Sequence, residues 1–224
     1  MKLVIIGATG MVGGVALRRS LENPEVTKVT VIGRRSTGVE HEKLTEIQHS
    51  DYLDYSGLED ALSGQDGALF CLGAYTGTVP DDEFRTITVD YTLEFARALY
   101  ARSPQAAFCL LSGQGADQSE KSSMAFARYK GIAENGLKEM GFSRVHLLRP
   151  GYIYPVEPRQ EPNLMYRISR SLYPLLKFLM PNASITSEQL GWAMMDVALH
   201  GSRDFKTPEL ENKDMLQLAK AHMK

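Results

Sequence analysis

Short apolar runs that stop at glycine punctuate the first two thirds of the chain. Leu3-Val4-Ile5-Ile6 ends at Gly7, and Val29-Thr30-Val31-Ile32 ends at Gly33. Continuous aliphatic and β-branched runs of this length predict strands buried on both faces. Leu44–Gln48 alternates weakly and predicts a third strand. Ala68–Leu72, Ala106–Leu111 and Val145–Leu148 predict a fourth, fifth and sixth. Between them the period lengthens to that of helices. Met11–Leu21 is one, stopped by Asn23-Pro24, and Leu58–Leu62 is a short second. A third opens on Asp81-Asp82-Glu83, where the helix dipole favours carboxylates, with Phe84, Ile87, Tyr91, Phe95 and Leu99 on its apolar face. Ser122–Met140, closed by Gly141, predicts a fourth helix and Ser187–His200 a last amphipathic one.

Strand and helix alternating in this way predict an α/β fold: a doubly wound parallel sheet covered by helices on both faces, in strand order 3-2-1-4-5-6. After Pro150 the alternation breaks, with further prolines at 155, 158, 162, 174 and 181. The expectation is a single domain over 1–224, with residues 151–224 contributing a small cap on the substrate side. Within it Ser171–Pro181 is strongly apolar. It lines a pocket as a lid, touches a membrane or second subunit, or packs on its own domain.

Composition narrows the function classes. Of 224 residues, 43% are hydrophobic and 23% charged, ordinary for a globular chain. The 25 Lys and Arg nearly cancel the 27 Asp and Glu, so no basic footprint for nucleic acid is present. Cys71 and Cys109 sit in apolar runs and read as buried, reduced core residues. The five histidines show no metal spacing, so no metal is expected. No apolar run approaches the length of a signal peptide or membrane span, and a cytoplasmic protein is expected.

The chemistry begins where the first strand ends. Gly7-Ala8-Thr9-Gly10-Met11-Val12-Gly13, followed by Gly14, has three-residue glycine spacing between a strand and a helix. Glycine there allows a sharp exit from the strand, close approach of a pyrophosphate to the backbone, and tight packing of helix on sheet. The helix N-terminus then offers unpaired N–H groups to phosphate. At the end of the second strand, where NAD binders usually carry an acid, this chain has Arg34-Arg35. A carboxylate would repel a 2′-phosphate, whereas guanidinium groups can hold one, so NADP(H) is the expected cofactor.

These residues, with IGRR (32–35), Asp51, FCLGAY (70–75), LLSGQGAD (110–117), FARYKGIAE (126–134) and LRPGYIYP (148–155), make the chain resemble the atypical short-chain dehydrogenase/reductase superfamily. Within it the chain looks similar to the branch of the Tat-interactive protein and NmrA-like NADP binders. The resemblance implies a Rossmann fold and assigns roles along the cofactor. Asp51 and Tyr52 would border adenine, and Leu72-Gly73 the adenosine ribose. Lys130 would hold the nicotinamide ribose, and Pro150-Gly151-Tyr152-Ile153 would border the carboxamide. Read alone, Asp51 also fits an ordinary turn or cap residue, and Lys130 a solvated helix residue.

Such reductases pair a helical Tyr with a Lys four residues later, on one helix face, so that the ammonium lowers the phenol's pKa. Four before Lys130 stands Phe126, which has no proton to give. Tyr129, adjacent to Lys130, points about 100° away. Ser112 keeps the family's serine position, with Gly113 and Gln114 after it. Lys130 and Ser112 are therefore the candidate catalytic residues. Two readings stay open: a reductase of a small or hydrophobic carbonyl with its proton donor elsewhere (Tyr75, Tyr152 or Tyr154), or a non-catalytic NADP(H)-sensing regulator that binds a protein partner. A homo-oligomer is compatible with either. On the first reading, Phe126→Tyr raises activity.

Overall fold

The computed structural model describes residues 1–157, 173, 182–202, 205 and 207–220. Its main sheet is wholly parallel, in the order β3-β2-β1-β4-β5-β6-β9. The strands are β1 Lys2–Ile6, β2 Lys28–Gly33, β3 Leu44–Gln48, β4 Gly67–Phe70, β5 Ala107–Leu111, β6 Arg144–Arg149 and β9 Glu209–Glu211. A separate parallel pair joins β7 Tyr152–Tyr154 to β8 Ser184–Thr186. The helices are α1 Met11–Glu22, α2 Glu59–Leu62, α3 Asp81–Arg85, α4 Tyr91–Arg102, α5 Ala125–Glu139, α6 Ser187–His200 and α7 Asn212–Lys220.

Alternate strand residues feed two cores. Leu3, Ile5, Val29, Val31, Leu69 and Leu148 pack with α1, α6 and α7. Val4, Ile6, Ile32, Ala68, Phe70, Phe108 and Leu147 pack with α2, α4 and α5. The second core is built around rings: Phe70, Phe95 and Phe108 lie with centroids 5.7–6.3 Å apart, at separations where offset aromatic pairs attract. Burial of both faces is what the uninterrupted apolar runs require.

Four local features differ from the sequence reading. Residues 86–90 form a π turn joining α3 to α4. The extra residue rotates the helix, so Thr88 and Val89 are buried where Ile87 was expected to be. Helix α5 begins at Ala125, after 122, because the Asp117 carboxylate accepts backbone N–H bonds from Ser119, Lys121 and Ser122 and keeps that stretch as a loop. Cys71 is half-buried, with its thiol toward Met194 Sδ at 3.7 Å, while Cys109 is fully buried.

The fourth difference concerns the cap. Helix α6 lies in the layer beside α1, capped by reciprocal bonds between Thr186 and Gln189, and β9 extends the main sheet past β6. Residues 187–200 and 209–220 are thus built into the sheet and its helical layer. The apolar segment Ser171–Pro181 lies outside the described residues, Tyr173 apart. Among the described residues no helix is long and apolar enough to cross a membrane.

Gly191 permits the close approach of α6 to α1: a Cβ there would stand 2.4 Å from Val15 Cγ1 and 3.1 Å from the Ala16 backbone nitrogen. Gly191→Ala gains about 1 kcal/mol of helix propensity. Overpacking costs about 1–3 kcal/mol, so net destabilisation is expected in urea melts. In a Val15→Ala background the nearest methyl is gone and the penalty should shrink; an unchanged penalty would show that the helix contact is not its source.

Candidate active site

The turn after β1 is shaped by what cannot fit beside it. Gly7 has φ +83°, and a Cβ on it would lie 2.8 Å from the Cys71 carbonyl carbon. A Cβ on Gly13 would lie 2.2 Å from the Gly7 oxygen. The chain bends through Gly10 N–H to Gly7 O at 3.0 Å, and Gly10 caps α1 with no side-chain hydrogen bond. The first helical N–H groups are therefore claimed by no capping side chain and meet no carboxylate in the first turn. That arrangement fits a pyrophosphate.

On one side of this turn lies a hollow of about 400 Å³ lined by Thr9, Gly10, Gly14, Arg18, Arg35, Ser36, Thr37 and Glu157. The two arginines after β2 separate. Arg35 enters the hollow, whereas Arg34 engages the Tyr52 hydroxyl. Burial raises the Tyr52 pKa and the Arg34 contacts oppose it. Tyr52 is 4% exposed, packed between His49 and Tyr91, so it meets a ligand by an edge at most. The Asp51 carboxylate accepts the Leu53 N–H at 3.0 Å and so closes a local turn. Glu46, on β3, had no sequence signal. It accepts from the Ser36 hydroxyl at 2.6 Å and the Thr37 N–H at 2.7 Å, donors that hold its carboxyl below the usual range and fix the loop carrying Arg35.

On the other side, at the C-terminal ends of β1, β4, β5 and β6, a cavity of about 350 Å³ opens. Gly10, Met11, Val12, Leu72, Gly73, Ser112, Lys130, Pro150, Gly151, Tyr152 and Ile153 all line it, with Cys71, Tyr75 and Phe126. The strand-order reversal between β1 and β4 places it where doubly wound sheets hold ligands. Burial pushes the Cys71 thiol up to about 12, which makes it a poor nucleophile. The turn at Gly151 is built by Asn212, whose Oδ1 accepts the Gly151 N–H at 3.1 Å while its amide reaches Asn182 O.

Lys130 sits at the cavity floor, 8% exposed, its ammonium donating to Leu111 O at 2.9 Å. Burial lowers its pKa to about 8, against the opposing pull of Glu134. Gly131 beside it brings α5 onto the loop after β5: a Cβ there would be 1.8 Å from Asp117 O. Glu134, one turn on, is fully buried and was not singled out from the sequence, where it looks like any helical acid. It accepts from Ser112 Oγ at 2.5 Å, Gln118 Nε2 at 2.8 Å and Arg149 Nε at 2.9 Å, with Arg149 Nη2 completing a two-pronged ion pair. Glu134 in turn raises the Arg149 pKa. Ser112 lines the cavity, but its proton is spent on this carboxylate, so it has none to give a ligand there.

The tyrosine position is closed by more than a missing hydroxyl. The tip of the Phe126 ring, Cζ, lies 2.3 Å from where a Gly113 Cβ would stand, with Cε1 and Cε2 farther at 3.1 and 3.3 Å. The ring thus points end-on at Gly113, and a phenol oxygen in this rotamer would run into its backbone. Tyr129 turns away from the cavity to Phe84 and donates to Asp81 Oδ2 at 2.7 Å. Tyr75 and Tyr152 remain on the cavity wall, while Tyr154 stacks on Tyr173 at 3.8 Å. Among the described residues no group of three or more His, Cys, Asp or Glu is placed to hold a metal ion.

Comparison with known proteins agrees with this geometry. Residues 3–125 match the NAD dependent epimerase/dehydratase family. Protein HTATIP2 of Rattus norvegicus is 34% identical over 152 residues, 66% of this chain and 61% of the relative. Protein fmp52, mitochondrial, of Emericella nidulans is 31% identical over 67% of this chain and 66% of its own length. The match thus spans slightly under two thirds of either relative. A UDP-glucuronic acid 4-epimerase from Bacillus cereus, solved with NAD, shares the fold over 94% of this chain and 78% of its own, at TM-score 0.66 and 15% identity. A putative NADH-flavin reductase from Streptococcus pneumoniae does so over 90% and 94%, at 0.61 and 16%.

Two outcomes follow for the cavity floor. Burial lowers the Lys130 pKa from the ordinary lysine value of 10.5, kept when unfolded, to about 8 when folded, so unfolding takes up a proton between them and stability rises with pH across that window. Lys130→Met should therefore exceed the wild type in stability at pH 7, by up to about 3 kcal/mol, with the gap closing as pH climbs to 10.5. A gap independent of pH would show that the lysine is not held at a cost. Phe126→Tyr should lose about 1–3 kcal/mol in the same melts, the usual overpacking range, and gain no reductase activity. A stable variant with new turnover would show that the ring has another rotamer to use.

Proposed function

This chain belongs to the NAD dependent epimerase/dehydratase family, within the atypical short-chain dehydrogenase/reductase superfamily, and from that premise we propose that it binds NADP(H) and reduces a small, apolar carbonyl compound. The observation that carries the reading is Lys130: a buried ammonium with its pKa lowered to about 8, facing a cavity whose walls include Val12, Leu72, Phe126 and Ile153. Keeping a lysine there costs stability, and a proton held near working pH is what acid–base chemistry needs.

The chain's residues divide the work. The open N–H groups at the start of α1 would hold the pyrophosphate, with Gly7, Gly10 and Gly13 giving it room. Arg35, with Arg34 behind it, would hold the 2′-phosphate. Asp51 and the edge of Tyr52 would border adenine, and Leu72-Gly73 the adenosine ribose. Lys130 would take the nicotinamide ribose hydroxyls, and Pro150–Ile153 the carboxamide. When bound, the reduced nicotinamide supplies a hydride. Lys130 holds the proton destined for the carbonyl oxygen, and the apolar walls exclude water. Free thiols in apolar surroundings, half-buried at Cys71 and buried at Cys109, support a reducing compartment such as the cytoplasm. The mitochondrial label belongs to the fungal relative.

The regulator reading draws on a specific feature as well. With Phe126 apolar and the Ser112 proton given to Glu134, neither usual donor faces a substrate. Fluorescence titration with NADPH and NADH, joined to a turnover assay on small aldehydes and ketones, separates the readings. Tighter NADPH binding is expected, weakened about tenfold by Arg35→Ala while NADH stays within about twofold. Equal affinity for the two nucleotides removes the NADP assignment. Tight binding with no consumption of NADPH across the carbonyl panel replaces the reductase with the regulator.

A further inference from the structure

The hollow beside the glycine turn contains a guanidinium that comes from neither the turn nor the loop after β2. Arg18 lies four residues beyond Gly14 on α1, on the same face. Its side chain folds back over the first helical turn, with Nη1 3.9 Å from the point where a Gly14 Cβ would stand. It shares the hollow with Arg35, Thr9, Ser36 and Glu157. Glu157 arrives from the opposite side of the site, just beyond β7, and its Oε1 meets Arg18 Nη2 at 2.6 Å.

We propose that Arg18 is a further guanidinium of the adenosine 2′-phosphate site, and that Glu157 is an internal anion that competes with that phosphate for it. The proposal rests on the NADP(H) reading above. Charge and exposure carry it. Two guanidinium groups face one carboxylate in the hollow, so the lining keeps a positive excess that a more highly charged phosphate would complement. The ion pair is easily exchanged, because its side chains are 41% and 70% exposed and pairs so open to water contribute little stability. A phosphate bridging Arg18 and Arg35 would make charge-assisted bonds to both, where the carboxylate engages Arg18 alone. Glu157 thus sets how strongly the phosphorylated nucleotide is preferred. Because it follows closely on Tyr152, Ile153 and Pro155 of the cavity wall, it also links the adenosine end of the site to the nicotinamide end.

The test uses the whole chain and four proteins: wild type, Arg18→Gln, Glu157→Gln and the double variant, each titrated with NADPH and NADH at low salt. Arg18→Gln should weaken NADPH about tenfold and leave NADH within about twofold. Glu157→Gln should tighten NADPH by about threefold to tenfold, with NADH unchanged. In the double variant the Glu157→Gln gain should vanish, since the carboxylate acts through Arg18. Equal effects on both nucleotides, or a gain that survives without Arg18, overturns the proposal and leaves the pair a surface ion pair. Wild-type protein that binds neither nucleotide overturns the NADP(H) reading itself, a result distinguishable from the others.

Discussion

The site depends on two places where backbone meets backbone with no side chain between. At one, α1 crosses the end of β1 so closely that a Cβ on Gly13 would fall 2.2 Å from the Gly7 oxygen. At the other, α5 crosses the loop after β5, with Asp117 O 1.8 Å from a Cβ on Gly131. The first contact aims an uncapped helix N-terminus into the crevice. The second sets Lys130 on the crevice floor. A side chain at either glycine would push its helix off the sheet, and the two ends of the site would lose their common geometry.

Between those contacts lies an expensive polar cluster. Glu134 is fully buried, and the removal of such a charge from water is repaid only by dense pairing. Arg149, Gln118 and Ser112 provide it. Lys130 lies on the same helix face one turn before and interacts with Glu134 only through space, with Leu111 O as its hydrogen-bond partner. That division matters for chemistry. A lysine in a direct ion pair would keep its proton, whereas one satisfied by a neutral carbonyl and penalised by burial can release it near neutrality. Arg149 absorbs the carboxylate and so leaves the lysine its lowered pKa.

The sheet was legible because most of its strands are short apolar runs, three of them ending at Gly7, Gly33 and Gly73, whereas β3 alternates only weakly. The strand order followed from the β-α alternation. What escaped notice has physical causes. Strand β9 is Glu-Leu-Glu, with one apolar residue and an edge position, so no periodicity announces it. The π turn at 86–90 shifts a helical face by a single residue, which no spacing rule detects. In the site, the glycines and the arginine pair stood out because their chemistry is local to the chain. Glu134, Arg18 and Glu46 did not, since their meaning lies in partners 15, 139 and 9–10 residues away. Phe126 was recognised as a departure, but only the approach to Gly113 shows that the position is filled rather than vacant.

The two ends of the crevice are governed by different physics. Arg18, Arg35 and Glu157 meet in an open hollow, where water and salt screen each pair within about 8–10 Å, so the nucleotide choice proposed above would be a modest difference among exposed charges. At Lys130 the surroundings are protein, so its charge is felt strongly by anything admitted to the cavity and weakly by salt outside. On the proposed reading, single surface charges would tune the choice of cofactor without disturbing the buried lysine. Changes at the buried end instead propagate through Glu134 to Ser112, Gln118 and Arg149 together, because all three bond to that one buried carboxylate. A rigid interior and an exchangeable rim would leave the proposed nucleotide preference free to shift while the setting of Lys130 at the floor stays fixed.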